Sequence, residues 1–271
     1  MNRLLRLCRL SSLWRADVIT NLSVSVIEQT TSTSDLARSA IDDGAVSGTV
    51  FQALIQTRGR GRHGRVWQSP KGNLYVSVIV QPSRPQMDWP GLSLVAGLAL
   101  ADTFAPLINT AHLRLKWPND VLVDGKKIAG VLLEVYKGVV IIGIGVNLVT
   151  APDVDADSWP ATALTDHILQ PVFMDDFRDQ LLTHLQHHLA NWDQAGLEPL
   201  IKPWTEYAAF LNENIILAHE TGKPTHGRFR GIHPDGTMRL ETDTDGMLSI
   251  SAGDVIRARP VKQMDDPINK S

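Results

Sequence analysis

Between Gln56 and Trp67 the chain reads Gln-Thr-Arg-Gly-Arg-Gly-Arg-His-Gly-Arg-Val-Trp, four arginines alternating with three glycines. Arginine carries a planar fork that grips phosphate or carboxylate through paired hydrogen bonds. Glycine lets the backbone reach positive φ and come close to a ligand. A loop built from both is suited to wrap a small anion. A flexible Arg-Gly tract on RNA uses the same residue types. This stretch, however, is short, does not repeat, and has strand patterns on both sides, so an anion-gripping loop of an enzyme is the better reading.

Two further stretches carry chemistry. In Lys116-Trp117-Pro118-Asn119-Asp120 the proline fixes a turn at a strand end and the last two residues project polar groups from it. Asp120 suits either a magnesium ion bridging phosphates or an Asx turn that satisfies its own backbone. In Lys126-Lys127-Ile128-Ala129-Gly130 a lysine pair follows a hairpin and reads first as exposed surface. Strict alternation nevertheless sets Lys127 on the side of Ala129, Val131 and Leu133. There it would stabilise charge at a reacting carboxyl or phosphoryl group, with Ala129 and Gly130 leaving room for a ligand.

The elements that must position these residues follow from periodicity. Leu22–Ile27, Thr49–Gln56 and Leu74–Val80 read as strands. Ser34 with Asp35 would cap a helix from Leu36 to about Asp42, and Leu92–Ile108 is a Leu/Ala-rich helix. A meander follows over Leu113–Trp117, Val121–Val123, the Asp124-Gly125 turn, Lys127–Val135 and Val139–Val146, ending at Asn147. Strands joined by tight turns imply a mixed, largely antiparallel sheet, so the class is α+β rather than doubly wound. Phe173–Trp192 is an amphipathic helix whose His184, His187 and His188 read as a solvated face, with Trp204–Leu211 a last helical turn or two. Asp153, Asp155 and Asp157 resemble the start of a calcium loop, but Ser158 and Leu164 stand where that loop needs glycine and glutamate. From Asn212 five short strands separated by glycine turns suggest a small β-barrel, with a boundary near 208–213. The chain therefore divides into an arm over 1–20, a main domain over 21–210, a barrel over 211–263 and a polar tail over 264–271.

Composition sets the limits. The net charge of −3 gives no basic field to attract nucleic acid, so the arginines are a local concentration. A single cysteine, Cys8, leaves no internal disulfide and suggests a reducing compartment. No apolar run reaches the roughly 18–20 residues of a membrane span, and a cytoplasmic protein with no membrane association is expected. Met1–Arg15 holds four arginines and no acidic residue, a composition that fits a transit peptide. It lacks a secretory core and cleavage site, and a frayed arm or a misassigned start is preferred.

The strings Ser32-Thr33-Ser34, Gly59-Arg60-Gly61-Arg62-His63-Gly64-Arg65-Val66-Trp67, Lys116-Trp117-Pro118-Asn119-Asp120, Lys127-Ile128-Ala129-Gly130 and Gly143-Ile144-Gly145-Val146-Asn147 occur in this order. With the terminal barrel, they closely resemble a biotin protein ligase over residues 22–260. The resemblance implies a catalytic domain related to class II aminoacyl-tRNA synthetases and lipoate ligases, plus an SH3-like barrel. It implies biotin and ATP as substrates, with Mg2+, and a lysine of a biotin carboxyl carrier protein of acetyl-CoA carboxylase or a related carboxylase as acceptor. It places Ser32, Thr33, Ser34, Gln56, Arg60, Gly61, Arg62 and Lys127 at biotin, with Ser34 standing where the family usually has asparagine. Arg62, Arg65, Asn119, Asp120 and Asn147 fall at ATP, with Asp120 also toward the metal, Trp67 forms an apolar wall, and Lys127 and Arg62 are the catalytic pair. His63 replaces an arginine of some members. Cys8 is a bystander, since acyl transfer to an amine needs no thiol. Members often form homodimers through the catalytic sheet. Some carry a DNA-binding helix-turn-helix, for which the residues ahead of Leu22 are too few, so no DNA regulation is expected. A lipoate ligase or other acyltransferase on the same scaffold is disfavoured by the arginine–glycine loop and the Ser-Thr-Ser turn. A nucleic-acid module is disfavoured by the charge balance.

Overall fold

A computed structural model describes residues 18–19, 21–153, 159–219 and 223–257. Cys8, most of the N-terminal arm, the polar tail, and Asp155 and Asp157 lie outside the described residues. The end of the arm is part of the core. Val18 and Ile19 are buried against it, Ser47 Oγ donates to the Val18 carbonyl and Gln186 Nε2 to that of Ile19.

The main sheet has seven strands: β1 (Ser23–Thr30), β2 (Thr49–Gln56), β3 (Leu74–Val80), β4 (Leu113–Lys116), β5 (Asp120–Val123), β6 (Lys126–Tyr136) and β7 (Val139–Val146). Their order is β1-β2-β3-β7-β6-β5-β4. Only β1 and β2 are parallel; every other neighbouring pair is antiparallel. The parallel pair needs a crossover, which helix α1 (Thr33–Asp42) supplies. The β5–β6 turn has Asp124 and Gly125 at φ 50° and 72°, and the β6–β7 turn has Lys137 and Gly138 at 47° and 80°. Such two-residue turns match the twist of a tight hairpin. The class is α+β with a mixed sheet, as the meander implied.

The α1 cap differs from expectation. Ser32, in extended conformation, accepts from Ser34 N, so the helix begins before Ser34. Five hydroxyl residues in a row, Thr30 to Ser34, offer several possible caps, and periodicity alone does not choose among them.

One sheet face carries the main core. Helix α2 (Leu92–Phe104) is buried on nearly every side, as expected of a helix apolar all round. It lies against the sheet and against α3 (Met174–Ala195) and α4 (Glu198–Glu206). It stops four residues before the expected Ile108, because Pro106 cannot donate to the ladder. On α3, His188 is not on a solvated face: it is buried, and Nε2 sits 2.7 Å from Asp102 of α2. His187 is exposed and His184 partly so. Helix α4 starts at Glu198, well before Trp204, its first turn opened by Pro199. On the opposite face, α1 covers only one end of the sheet, through Ala37 on Ile79 and Ile141.

The second sheet comprises β8 (Asn214–Ala218), β9 (Thr225–Ile232), β10 (Met238–Thr242), β11 (Gly246–Ile250) and β12 (Asp254–Arg257), antiparallel in the order β11-β10-β9-β8-β12. Its inward residues, among them Ile215, Phe229, Leu240 and Val255, belong to the same apolar cluster as the main core. The connection is also made through backbone. Leu115 of β4 donates to the Tyr207 carbonyl and accepts from Ala209 N, so the linking segment covers the edge of the main sheet. Trp117 Nε1 donates to the Gly236 carbonyl at 3.1 Å.

One buried side chain fixes the segment that leaves β7. Asn73 Oδ1 accepts from the backbone of Leu148, Val149 and Thr150 at 3.0, 2.9 and 3.1 Å, and Nδ2 donates to the Thr150 carbonyl at 2.7 Å. Asn73→Ala leaves these groups without partners, and the expected loss is about 3 kcal/mol. Urea unfolding at pH 7 measures it; a loss below about 1 kcal/mol would show that water replaces the amide.

Candidate active site

A cavity of about 1240 Å³ opens on the sheet face that α1 leaves uncovered. Small residues make room for it. Gly130, Gly143 and Gly145 line it from β6 and β7, where Gly130 pairs with Gly145 and Leu132 with Gly143. The Trp67 indole lies on this floor: a Cβ on Gly145 would stand 2.5 Å from Trp67 Cε2, and one on Gly130 3.1 Å from Cζ3. Trp67 Nε1 is buried and has no hydrogen-bond partner among the described residues.

Every candidate residue named from the sequence lines this one cavity: Ser32, Thr33, Ser34, Gln56, Arg60, Gly61, Arg62, Arg65, Trp67, Asn119, Asp120, Lys127 and Asn147. Their neighbours divide it into two ends. One end is polar and uncharged. Gln56 Oε1 accepts from Thr33 N (2.8 Å) and Thr33 Oγ1 (3.2 Å), while Gln56 Nε2 donates to Ser69 Oγ (3.0 Å). Thr33 and Ser34 hydroxyls both meet Ser77 Oγ, at 2.7 and 3.3 Å.

The other end is cationic and centres on Asp120. Lys116 Nζ lies 2.9 Å from one of its carboxylate oxygens and Lys127 Nζ 2.5 Å from the other. Burial by itself would raise the Asp120 carboxyl, but the ammonium groups of Lys127 and Lys116 outweigh it and hold the pKa far below the usual carboxylate range. Each lysine also faces a ring, Lys127 Nζ 5.2 Å from the Trp67 centroid and Lys116 Nζ 4.8 Å from that of Trp159. Arg62 Nη1 donates to Asn119 Oδ1 at 3.3 Å, and Asn119 is fixed in turn by Nδ2 to the Val131 carbonyl at 2.7 Å. Asn147, almost fully buried, donates Nδ2 to the Thr162 carbonyl.

The placement of Lys127 corrects the alternation argument. Leu122 pairs with Lys127 but Val121 with Ala129, so the register shifts at Ile128. A bulge puts two successive residues on one side. Ile128, Ala129 and Val131 accordingly face the main core, and Lys127 shares the cavity side with Gly130 and Leu132. The magnesium reading of Asp120 also changes, because a lysine ammonium lies within ion-pair distance of each of its oxygens. Among the described residues no group of three or more His, Cys, Asp or Glu side chains is arranged to hold a metal. A protein-held magnesium does not fit this donor set.

Arg60 points its guanidinium to Asp35 of α1 (2.5 Å) and Glu134 of β6 (3.3 Å), tying the loop to the scaffold. His63 stands exposed at φ 55°. Sequence reasoning missed further lining residues, four of them with polar groups or rings that bear on the site. Lys116 lay inside a recognised string without a role, and Tyr75 and Trp159 carry no local signal. Asp254, from the second sheet, is remote in the chain.

Comparison with known proteins agrees with this arrangement. Residues 26–148 match the model of the biotin/lipoate A/B protein ligase family, and residues 210–257 that of the biotin protein ligase C-terminal domain. The biotin–[acetyl-CoA-carboxylase] ligase of Mycobacterium tuberculosis is 36% identical over 242 residues, covering 87% of this chain and 89% of that protein. The corresponding ligase of Paracoccus denitrificans is 38% identical over 200 residues, covering 69% and 82%. Among solved structures, the biotin protein ligase of Aquifex aeolicus in complex with biotin and ATP superposes with a TM-score of 0.74 at 25% identity, covering 87% of this chain and 99% of that one. The chain belongs to the biotin protein ligase family.

The Asp120 cluster predicts an acid-stability signature. A carboxyl depressed by folding contributes stability above its unfolded pKa, about 3.9, and loses it as pH falls toward the folded value. Asp120→Asn removes this contribution and leaves two lysines without a counter-ion, costing about 3 kcal/mol at pH 7. Between pH 5 and about 2 the variant's stability should fall less steeply than the native chain's. Urea midpoints measured across that range check it, and parallel acid limbs would refute the assignment.

Proposed function

We propose that this chain is an ATP-dependent biotin protein ligase, which joins biotin to the AMP moiety of ATP and passes the biotinyl group to a lysine of a carboxylase's biotin carboxyl carrier domain. The observation that carries the reading is the two-ended cavity, uncharged and polar at Ser32–Ser34 and Gln56, cationic at Lys116, Lys127 and Arg62. Biotin has matching ends, a ureido ring rich in donors and acceptors and a carboxylate. The apolar ring of a lipoyl group would leave the buried hydroxyls and amide unpaired, a costly mismatch, so the lipoate alternative is the weaker one.

In this reading the biotin carboxylate oxygen attacks the α-phosphorus of ATP. An O–P bond forms, the α–β phosphoanhydride breaks and pyrophosphate leaves. Two anions must first be brought together, and Lys127 and Arg62 offset their repulsion and the charge growing on phosphorus. Magnesium, arriving with ATP, is assigned to the nucleotide and not to Asp120, whose role is to hold both lysines in place. Arg65, Asn119 and Asn147 are assigned to the nucleotide and Trp67 to the floor under the mixed anhydride. A neutral carrier lysine then attacks the biotinyl carbonyl carbon; a C–N bond forms, the C–O bond to phosphate breaks and AMP leaves. We take the five-stranded sheet as the SH3-like barrel, with the boundary near 208–213.

Incubation with ATP-Mg, biotin and a carrier domain should give biotin-dependent pyrophosphate release and labelled carrier. Absence of both would sink the ligase reading. Arg62→Ala should lower kcat/KM for adenylation by on the order of 100-fold with an unchanged circular dichroism spectrum. Loss of the folded spectrum would show that the arginine is structural instead.

A further inference from the structure

The loop's arginines are held from outside the main domain. Asp254, the first residue of β12, accepts from Arg62 Nη1 at 3.3 Å through one carboxylate oxygen and from Arg65 Nη2 at 2.5 Å through the other. The neighbouring Gly253 carbonyl accepts from the same Arg62 nitrogen at 3.4 Å. Asp254 and Val255 line the cavity with residues that precede them by more than a hundred positions.

We propose that Asp254 is a positioning residue for the nucleotide: its carboxylate bridges Arg62 and Arg65 and sets both guanidiniums at the cavity rim. The inference rests on the ligase reading for the identity of the ligand. Three observations carry it. Two guanidiniums brought to one rim repel each other, and a carboxylate between them makes their convergence favourable. The three restraints on Arg62, from Asn119, Gly253 and Asp254, converge on a single nitrogen of its fork, the geometry of a side chain held by one edge. The carboxylate itself is on a rigid element, as a positioning group must be. Asp254 pairs with Ala218 of β8. Gly253 before it sits at φ 152°, with Leu217 Cγ 2.9 Å from where a Cβ would stand, so this junction admits little movement. The second sheet thereby completes the nucleotide end of the cavity.

The test uses the full chain with Asp254→Asn and Asp254→Glu. Asp254→Asn should raise the KM for ATP about tenfold, well beyond any change in the KM for biotin and with the Tm unchanged, and Asp254→Glu should recover most of the loss. An unchanged ATP KM overturns the proposal. A lowered one overturns it too, since Asp254 would then be competing with phosphate for the arginines. A joint rise of both KM values with a fallen Tm would reduce Asp254 to a structural contact. Binding of α,β-methylene ATP in the presence of biotin, measured calorimetrically, reads the same effect without catalysis. If the native chain releases no pyrophosphate yet binds this analogue more tightly than Asp254→Asn, the positioning role stands and the ligase reading falls.

Discussion

Five cationic side chains, Arg60, Arg62, Arg65, Lys116 and Lys127, face one cavity, and their mutual repulsion is the constraint around which the site is arranged. Like charges this close oppose folding unless counter-ions are fixed among them. The chain draws those counter-ions from separate elements: Asp35 of α1 and Glu134 of β6 for Arg60, Asp120 of β5 for the lysines, Asp254 of β12 for Arg62 and Arg65. The pairs are unequal in worth. Asp120 and Lys116 are buried and their attraction is weakly screened, whereas Arg65 is largely exposed and its pair contributes little by itself. Strength is thus concentrated at the lysines, and the arginine loop is held by several weaker ties.

A second constraint is space. A sheet buried on both faces normally fills them with branched side chains. Here β6 and β7 abandon that pattern on one face with Gly130, Gly143 and Gly145, and Trp67 takes the volume next to two of them. The bulge at Ile128 serves both faces: it keeps Ile128 and Ala129 in the core and turns Lys127 toward Asp120. Without it, Lys127 would lie on the core side, where an ammonium has no water and no partner.

How much of this was legible follows from which interactions are local. Strands β2, β3 and β7 coincide with their expected bounds, because their periodicity and flanking turns are written within a few residues. The Asp124-Gly125 hairpin is legible for the same reason. The bulge is not, since a single inserted residue leaves no mark in composition, and the phase of Lys127 depends on it. The burial of His188 is not legible because its partner, Asp102, belongs to another helix. The cavity's residue types were legible from the strings. Their ion pairings were not, as Asp254 meets Arg62 across 192 positions of chain.

That separation bears on why the loop needs the second sheet at all. Seven residues from Gly59 to Arg65 include three glycines, each of which costs more conformational entropy to order than any other residue. Local contacts are few: Gly61 and Arg65 exchange one backbone bond, and Arg65 donates to the Arg62 carbonyl. Such a loop does not order itself. It is ordered from three sides, by α1 through Arg60, by Asn119 through Arg62, and by β12 through Asp254. Detaching any one side frees the glycines to sample the conformations that their missing side chains permit, and the arginines then no longer converge on one point. The linker backbone at Leu115 and the indole of Trp117 hold the second sheet in place. They therefore help to position the cationic end of the cavity without touching it.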